Sequence, residues 1–130
     1  MKKPADDVCP CGSGEAYEAC CGRYHAGASA PDAERLMRSR YSAYVLGLEA
    51  YLLATWHPDT RPAALGLDAP PHPRWLDLVV KSHTVQDADH ATVEFVARYK
   101  LNGRAFRLHE TSRFIRVNDL WAYVDGDARD

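Results

Sequence analysis

An α+β fold, with helices covering one side of a four-stranded antiparallel sheet, follows from three features of this 130-residue sequence. Apolar residues recur at helical spacing between Asp32 and Leu48. From Trp75 onward the period shortens to two. Three tight-turn signals then divide that second half into four strands. All four cysteines lie ahead of these elements. The expected organisation is therefore a metal-binding segment over residues 1–30 and an α+β domain over residues 31–130.

In chain order, residues 1–7 read as a loose polar tail, and residues 8–30 show neither helical nor strand periodicity. Asp32 after Pro31 is a good N-cap, and Gly47 is a natural stop. Leu36, Met37, Tyr41, Tyr44, Val45 and Leu48 would share one face of that helix. A short helix over Glu49 to Thr55 should end before Trp56-His57-Pro58. Five prolines fall in residues 58–73 and predict an irregular loop, with a single helical turn at Ala63 to Leu65.

The strands are argued from their turns. Asn102-Gly103 is a type I′ signal, because both central residues of that turn take positive φ. It sets Tyr99 opposite Phe106, Ala97 opposite Leu108 and Phe95 opposite Glu110, with Arg98 facing Arg107 on the other side. A loop at Asp87 to His90 would place Leu76, Leu78, Val80 and Ser82 on the same inner face. A turn at Asn118-Asp119 sets Phe114 against Tyr123 and Arg116 against Trp121. Three independent turns thus agree on one apolar face.

Composition narrows the function classes. Apolar residues are 46% and charged residues 26%, which is ordinary for a globular chain and excludes disorder. No apolar run is long enough to span a bilayer, and the charged start, Met-Lys-Lys-Pro-Ala-Asp-Asp, has no apolar region after it. A cytoplasmic setting is the expectation. A net charge of −2 exerts no global pull on nucleic acid or anionic membrane.

The cysteines read C-x-C-x(8)-C-C: Cys9, Cys11, Cys20 and Cys21. Zinc takes four tetrahedral thiolate or imidazole ligands, and two close pairs joined by a short loop can supply them. Gly12 and Gly14 would let the chain turn back between the pairs. Disulfides are disfavoured in a reducing compartment, and a vicinal Cys20-Cys21 bridge would be strained. His25 remains open as a substitute for one cysteine. Four thiolates leave no open coordination position, so such a zinc is structural.

Residues 9–22, Cys-Pro-Cys-Gly-Ser-Gly-Glu-Ala-Tyr-Glu-Ala-Cys-Cys-Gly, resemble the SEC-C motif, the zinc-binding tail of the translocation ATPase SecA. That tail generally has histidine where this chain has Cys21. In SecA the motif docks the export chaperone and other partners, so the resemblance implies protein contact. Further matches at Gly22 to His25, Leu36 to Tyr44, Thr55 to Pro58 and His109 to Phe114 resemble the YchJ-like family. Its members pair a SEC-C motif with a nuclear transport factor 2-like (cystatin-like) domain. The resemblance implies that the sheet is curved, with a cone-shaped pocket on its concave face. That fold hosts enzymes and binding modules alike.

Glu110 stands on the apolar stripe, where a carboxylate must find a partner or take up a proton. It is a candidate general base or ligand anchor, or else a structural partner of Arg38, Arg40, Arg116, Tyr41 or Tyr44. His57 is a candidate acid/base group, or a cap on helix-end carbonyls. Tyr41 is a candidate for both catalysis and binding. With Arg38 and Arg40 it could grip an anion, although arginines on an amphipathic helix are often just solvated. Arg98, Lys100, Arg104, Arg107, Arg113 and Arg116 form a basic hairpin opposed in that stretch only by Glu110, a candidate contact for RNA phosphates.

The leading expectation is a zinc-containing adaptor that binds a protein partner or a small ligand. A small enzyme using Glu110, His57 and Tyr41 is the first alternative, and an RNA- or ribosome-associated protein using the basic hairpin is the second.

Overall fold

The computed structural model describes residues 8–129, so the tail expected over residues 1–7 lies outside the described residues. Helix α1 spans Cys21–His25 after a 3-10 turn at Tyr17–Ala19. Helix α2 spans Ala33–Leu46 and helix α3 spans Glu49–Ala54. Four strands follow: β1 (Arg74–Asp87), β2 (His90–Leu101), β3 (Arg104–Val117) and β4 (Leu120–Arg129). They form one antiparallel sheet in the order β1-β2-β3-β4, as the turn signals predict.

Helix α2 begins and ends where its caps dictate. The Asp32 carboxylate accepts from the Arg35 N–H at 2.7 Å, and Gly47 adopts φ 73° past the last turn. Leu48 N–H closes the end on the Ala43 carbonyl at 2.8 Å. Leu36, Met37 and Tyr41 are buried as expected, but Val45 is exposed and Ser39, Arg40 and Ser42 are buried instead. The buried stripe is thus rotated toward polar residues, because this helix packs against the cysteine segment as well as the sheet. Residues 58–73 hold no helical turn at Ala63 to Leu65. The Glu49 carboxylate holds that loop by accepting from the N–H groups of Leu65 and Leu67 at 3.0 and 3.1 Å.

The hairpin at Asn102-Gly103 has φ 53° and 81°, and every pairing it predicts between β2 and β3 is present. The same holds from Asn118-Asp119 as far as Phe114 against Tyr123. Strand β1 departs from the expected alternation. Register shifts between Trp75 and Asp77 and between Val80 and Ser82 each turn the strand over. Trp75 and His83 therefore take the inner positions expected of Leu76 and Ser82, opposite Tyr99 and Val93, and Leu76 is exposed. A third shift in β1 lies between Val85 and Asp87, and a further one, at Arg113/Phe114, shifts the pairing of β4 beyond Val124; that strand runs to Arg129, five residues past its expected end.

The far edge of the sheet is partly covered. Residues Thr55 to His57 run beside β4, with His57 N–H donating to the Tyr123 carbonyl at 2.8 Å and Tyr123 N–H to that of Thr55 at 2.9 Å. The core is continuous from the cysteines through Leu36, Met37 and Tyr41 to Val93, Phe95 and Phe114 on the sheet. No helix among the described residues is long and apolar enough to cross a membrane.

Candidate functional site

Two features share helix α2: a cysteine cluster at one side and an aromatic cavity at the other. The cluster is built by a small turn. Cys9 N–H donates to the Glu15 carbonyl at 2.9 Å and Gly12 N–H to that of Cys9 at 3.3 Å. Gly12 and Gly14 both take φ 84°, which returns the chain toward Cys20 and Cys21 at the start of α1. All four thiols are free and buried, and their sulfurs lie within 4.8 Å of one another. Cys11 and Cys20 sulfurs are 3.6 Å apart, far beyond a disulfide and close to the ~3.8 Å edge of a tetrahedron of sulfurs at about 2.3 Å from zinc.

The chemistry of this donor set also fits a cation. Contact with Cys21 and Cys9 drives the Cys11 thiol far below its ordinary range, while contact with Cys11 pushes that of Cys21 far above it. The sulfurs compete for protons, and a divalent ion would let all of them be thiolates together. Hydroxyls support the cluster from outside: Ser13 Oγ lies 3.1 Å from Cys20 Sγ and Ser42 Oγ lies 3.5 Å from Cys9 Sγ. His25 is not among the clustered ligands. Its Nε2–H donates to the Ser39 carbonyl at 2.8 Å, which leaves Nδ1 to accept from Tyr17 Oη at 2.6 Å.

The cavity, about 280 Å³, lies between α2 and the sheet. Its walls are mostly aromatic, with Tyr41, Tyr44, Trp56, Trp75, Phe95 and Tyr123 among them. Arg40 lines it while only 5% exposed. Its Nη1 donates to the Leu52 carbonyl at 2.8 Å and to Thr55 Oγ1 at 2.6 Å. The guanidinium sits 5.0 Å from the Trp56 ring and 4.6 Å from that of Tyr123. Burial lowers its pKa to about 10, which still leaves it a cation at neutral pH.

Glu110 also lines the cavity. Its Oε2 accepts from Ser112 Oγ at 2.7 Å and from Tyr123 Oη at 3.3 Å. Its partners are therefore a serine and a tyrosine other than Tyr41 or Tyr44, and not an arginine. A side chain at Gly126 would run into the Glu110 carboxylate, so the absence of a Cβ there makes room for it. Burial raises the Tyr41 hydroxyl to about 12 and pushes Tyr44 up as well. Whereas the hydroxyls of Tyr51 and Tyr123 are bonded, those of Tyr41 and Tyr44 have no hydrogen-bond partner among the described residues. Trp56 Nε1 is buried without a partner too.

Of the sequence-derived candidates, Arg40, Tyr41 and Glu110 meet at this cavity. Arg38 faces the cysteine segment, donating to Glu34 Oε2 at 3.1 Å and to the Cys11 carbonyl at 3.0 Å. His57 lies off the cavity wall, its Nδ1 accepting from the Asp59 N–H at 3.1 Å, which closes a local turn rather than capping helix-end carbonyls. Half of the basic hairpin is paired: Arg98 with Asp77, Arg113 with Asp125 and Asp127, and Arg116 with Asp89. Sequence reasoning misses Trp56, Trp75, Ser112, Tyr123 and Gly126 as parts of the site. A glycine inside a strand is the available signal for Gly126, since it marks close approach of a neighbour.

Comparison with known proteins agrees with this architecture. The family described as "YchJ, middle NTF2-like domain" matches residues 32–126, and the SEC-C motif matches residues 7–23. A UPF0225 protein of Bordetella parapertussis is 58% identical over 99% of this chain and 100% of its own length. One from Cupriavidus metallidurans is 60% identical over 94% of this chain and 89% of its own length. Among solved structures, a SEC-C motif containing protein from Rhodopseudomonas palustris superposes with a TM-score of 0.82 at 33% identity, covering 95% of this chain and 99% of that one. Another, from Psychrobacter arcticus, gives 0.75 at 28% identity, covering 95% of this chain and 83% of that one. The chain therefore belongs to the YchJ-like, UPF0225 family, in which a SEC-C motif precedes a nuclear transport factor 2-like domain.

Proposed function

We propose that this protein is a cytoplasmic binding protein in which a structural zinc braces a small-ligand cavity. Cys9, Cys11, Cys20 and Cys21 would hold the zinc as four thiolates, closing its coordination sphere and excluding a hydrolytic role. The module over residues 1–30 would present the surface for a protein partner, and the domain over residues 31–130 would take the ligand. The observation that carries this reading is the cavity, which joins aromatic walls to a buried cation and a carboxylate. An apolar concavity with a few convergent polar groups is the usual form of a ligand site.

Geometry favours binding over the alternatives. With His57 off the cavity wall, Glu110 and Tyr41 lack the third group of the enzymatic reading. Three of the six hairpin arginines and lysines are ion-paired, which halves the positive charge the sequence suggests for RNA phosphates.

A fragment screen read by two-dimensional NMR tests the proposal. Hits should cluster on the indole N–H signals of Trp56 and Trp75 and on amides of α2. Hits scattered over the surface, or none at the cavity, would contradict it. Elemental analysis should find one zinc per chain.

A further inference from the structure

The cavity's hydrogen-bonding groups are unevenly divided, and this imbalance defines a ligand class. Donors dominate. The guanidinium of Arg40 uses Nη1 on Leu52 and Thr55, and its other nitrogens bond to nothing among the described residues. The hydroxyls of Tyr41 and Tyr44, which have no hydrogen-bond partner among the described residues, add two more groups able to donate around the same space. On the accepting side stands Glu110, whose Oε2 is already taken by Ser112 and Tyr123 while its Oε1 accepts from no described residue.

Resting on the binding reading above, we propose that the cavity takes a small aromatic carboxylate that also carries a hydroxyl or amino donor. The carboxylate would lie toward Arg40, Tyr41 and Tyr44. The ring would sit against Trp75, Phe95 and Tyr123, and its donor would reach Glu110 Oε1. Arg40 and Glu110 both line the cavity and form no direct ion pair. A cavity of about 280 Å³ lies at the small end of ligand sites, matching one ring with short substituents. Arg40 suits the carboxylate because its planar guanidinium lies against the Trp56 and Tyr123 rings, which pack edge to face, and is fixed by its bonds to Leu52 and Thr55. Placing an anion beside a buried arginine also relieves the penalty of its desolvation.

The test uses three probes of one shape on the full zinc-loaded chain: 4-hydroxybenzoate, 4-hydroxybenzyl alcohol and 4-hydroxybenzylamine. Each is titrated into isotope-labelled protein to millimolar concentration while the signals of Trp56, Trp75 and Tyr44 are followed. The carboxylate should saturate these shifts with an affinity about tenfold or more above either analogue, as one charge-assisted hydrogen bond allows. Tyr44→Phe, which removes a hydroxyl that bonds to nothing among the described residues, should weaken the carboxylate several-fold and leave the melting temperature and the amine unchanged. Equal or tighter binding of the alcohol or amine would overturn the ligand class while leaving the cavity a binding site. Silence of all three probes at these signals would overturn the class and count against the binding reading itself.

Discussion

Arg38 donates from Nη1 to the Cys11 carbonyl across 3.0 Å, tying helix α2 to the turn that carries the first pair of cysteines. The same guanidinium is held by Glu34 one helical turn back. Two residues along the helix, Arg40 points the other way and lines the cavity. Cysteine cluster and cavity are thus built on opposite faces of one element.

Arg38→Ala should loosen the cysteine turn rather than the cavity. Loss of a charged hydrogen bond in this partly buried position should lower unfolding stability by about 1–2 kcal/mol. Zinc release to a chelator should quicken, while the Trp56 and Trp75 signals stay in place. Unchanged release kinetics would show that this contact does not brace the metal site.

Gly126 opposes Ser112 in the register, and a methyl group there would collide with the Glu110 carboxylate. Gly126→Ala should destabilise by about 1–3 kcal/mol through overpacking. Adding Glu110→Ala should recover part of that loss, because the collision is with this one side chain. A double-mutant cycle measured by denaturant unfolding checks it. Simple additivity would place the strain elsewhere.

Glu110→Gln should leave stability nearly unchanged. The amide oxygen can still accept from Ser112 and Tyr123, and no arginine is hydrogen-bonded to Glu110 and so left without its direct partner. Thermal melts within a few degrees of the parent protein are expected. A drop of the size seen when a buried ion pair is broken would reveal a cationic partner for Glu110.

Gly103→Ala tests the hairpin. Gly103 has φ 81° with open space around its Cα, so only backbone strain opposes the substitution. Destabilisation of about 1 kcal/mol is expected. Urea unfolding of the single variant is sufficient to measure it.

The sheet is legible in the sequence because turn chemistry is local. Asn102-Gly103 and Asn118-Asp119 specify their pairings from a few residues each, and both registers follow. The bulges in β1 are not legible. Alternation looks unbroken through Leu76 and Ser82, and only packing against α2 explains why Trp75 and His83 turn inward. The four cysteines stand out by spacing alone, whereas the cavity needs tertiary contacts. Trp56 reaches it through the segment that pairs with β4. Gly126 comes beside Glu110 only through the register shift at Arg113/Phe114, which extends the pairing of β4 along β3. The pairing of the basic hairpin is hidden for the same reason. Its neutralising carboxylates, Asp77, Asp89, Asp125 and Asp127, all lie outside the stretch from Arg98 to Arg116.

The most direct test of the account is hydrogen–deuterium exchange on the zinc-loaded chain before and after chelation. The cysteines share one continuous core with Leu36, Met37 and Tyr41, so removing the metal should expose more than the turn that binds it. Loss of protection should spread from residues 9–25 into helix α2 as far as Tyr44, while the β2–β3 hairpin amides stay protected. Exchange that changes only within residues 9–25, or not at all, would contradict a zinc centre that braces the cavity.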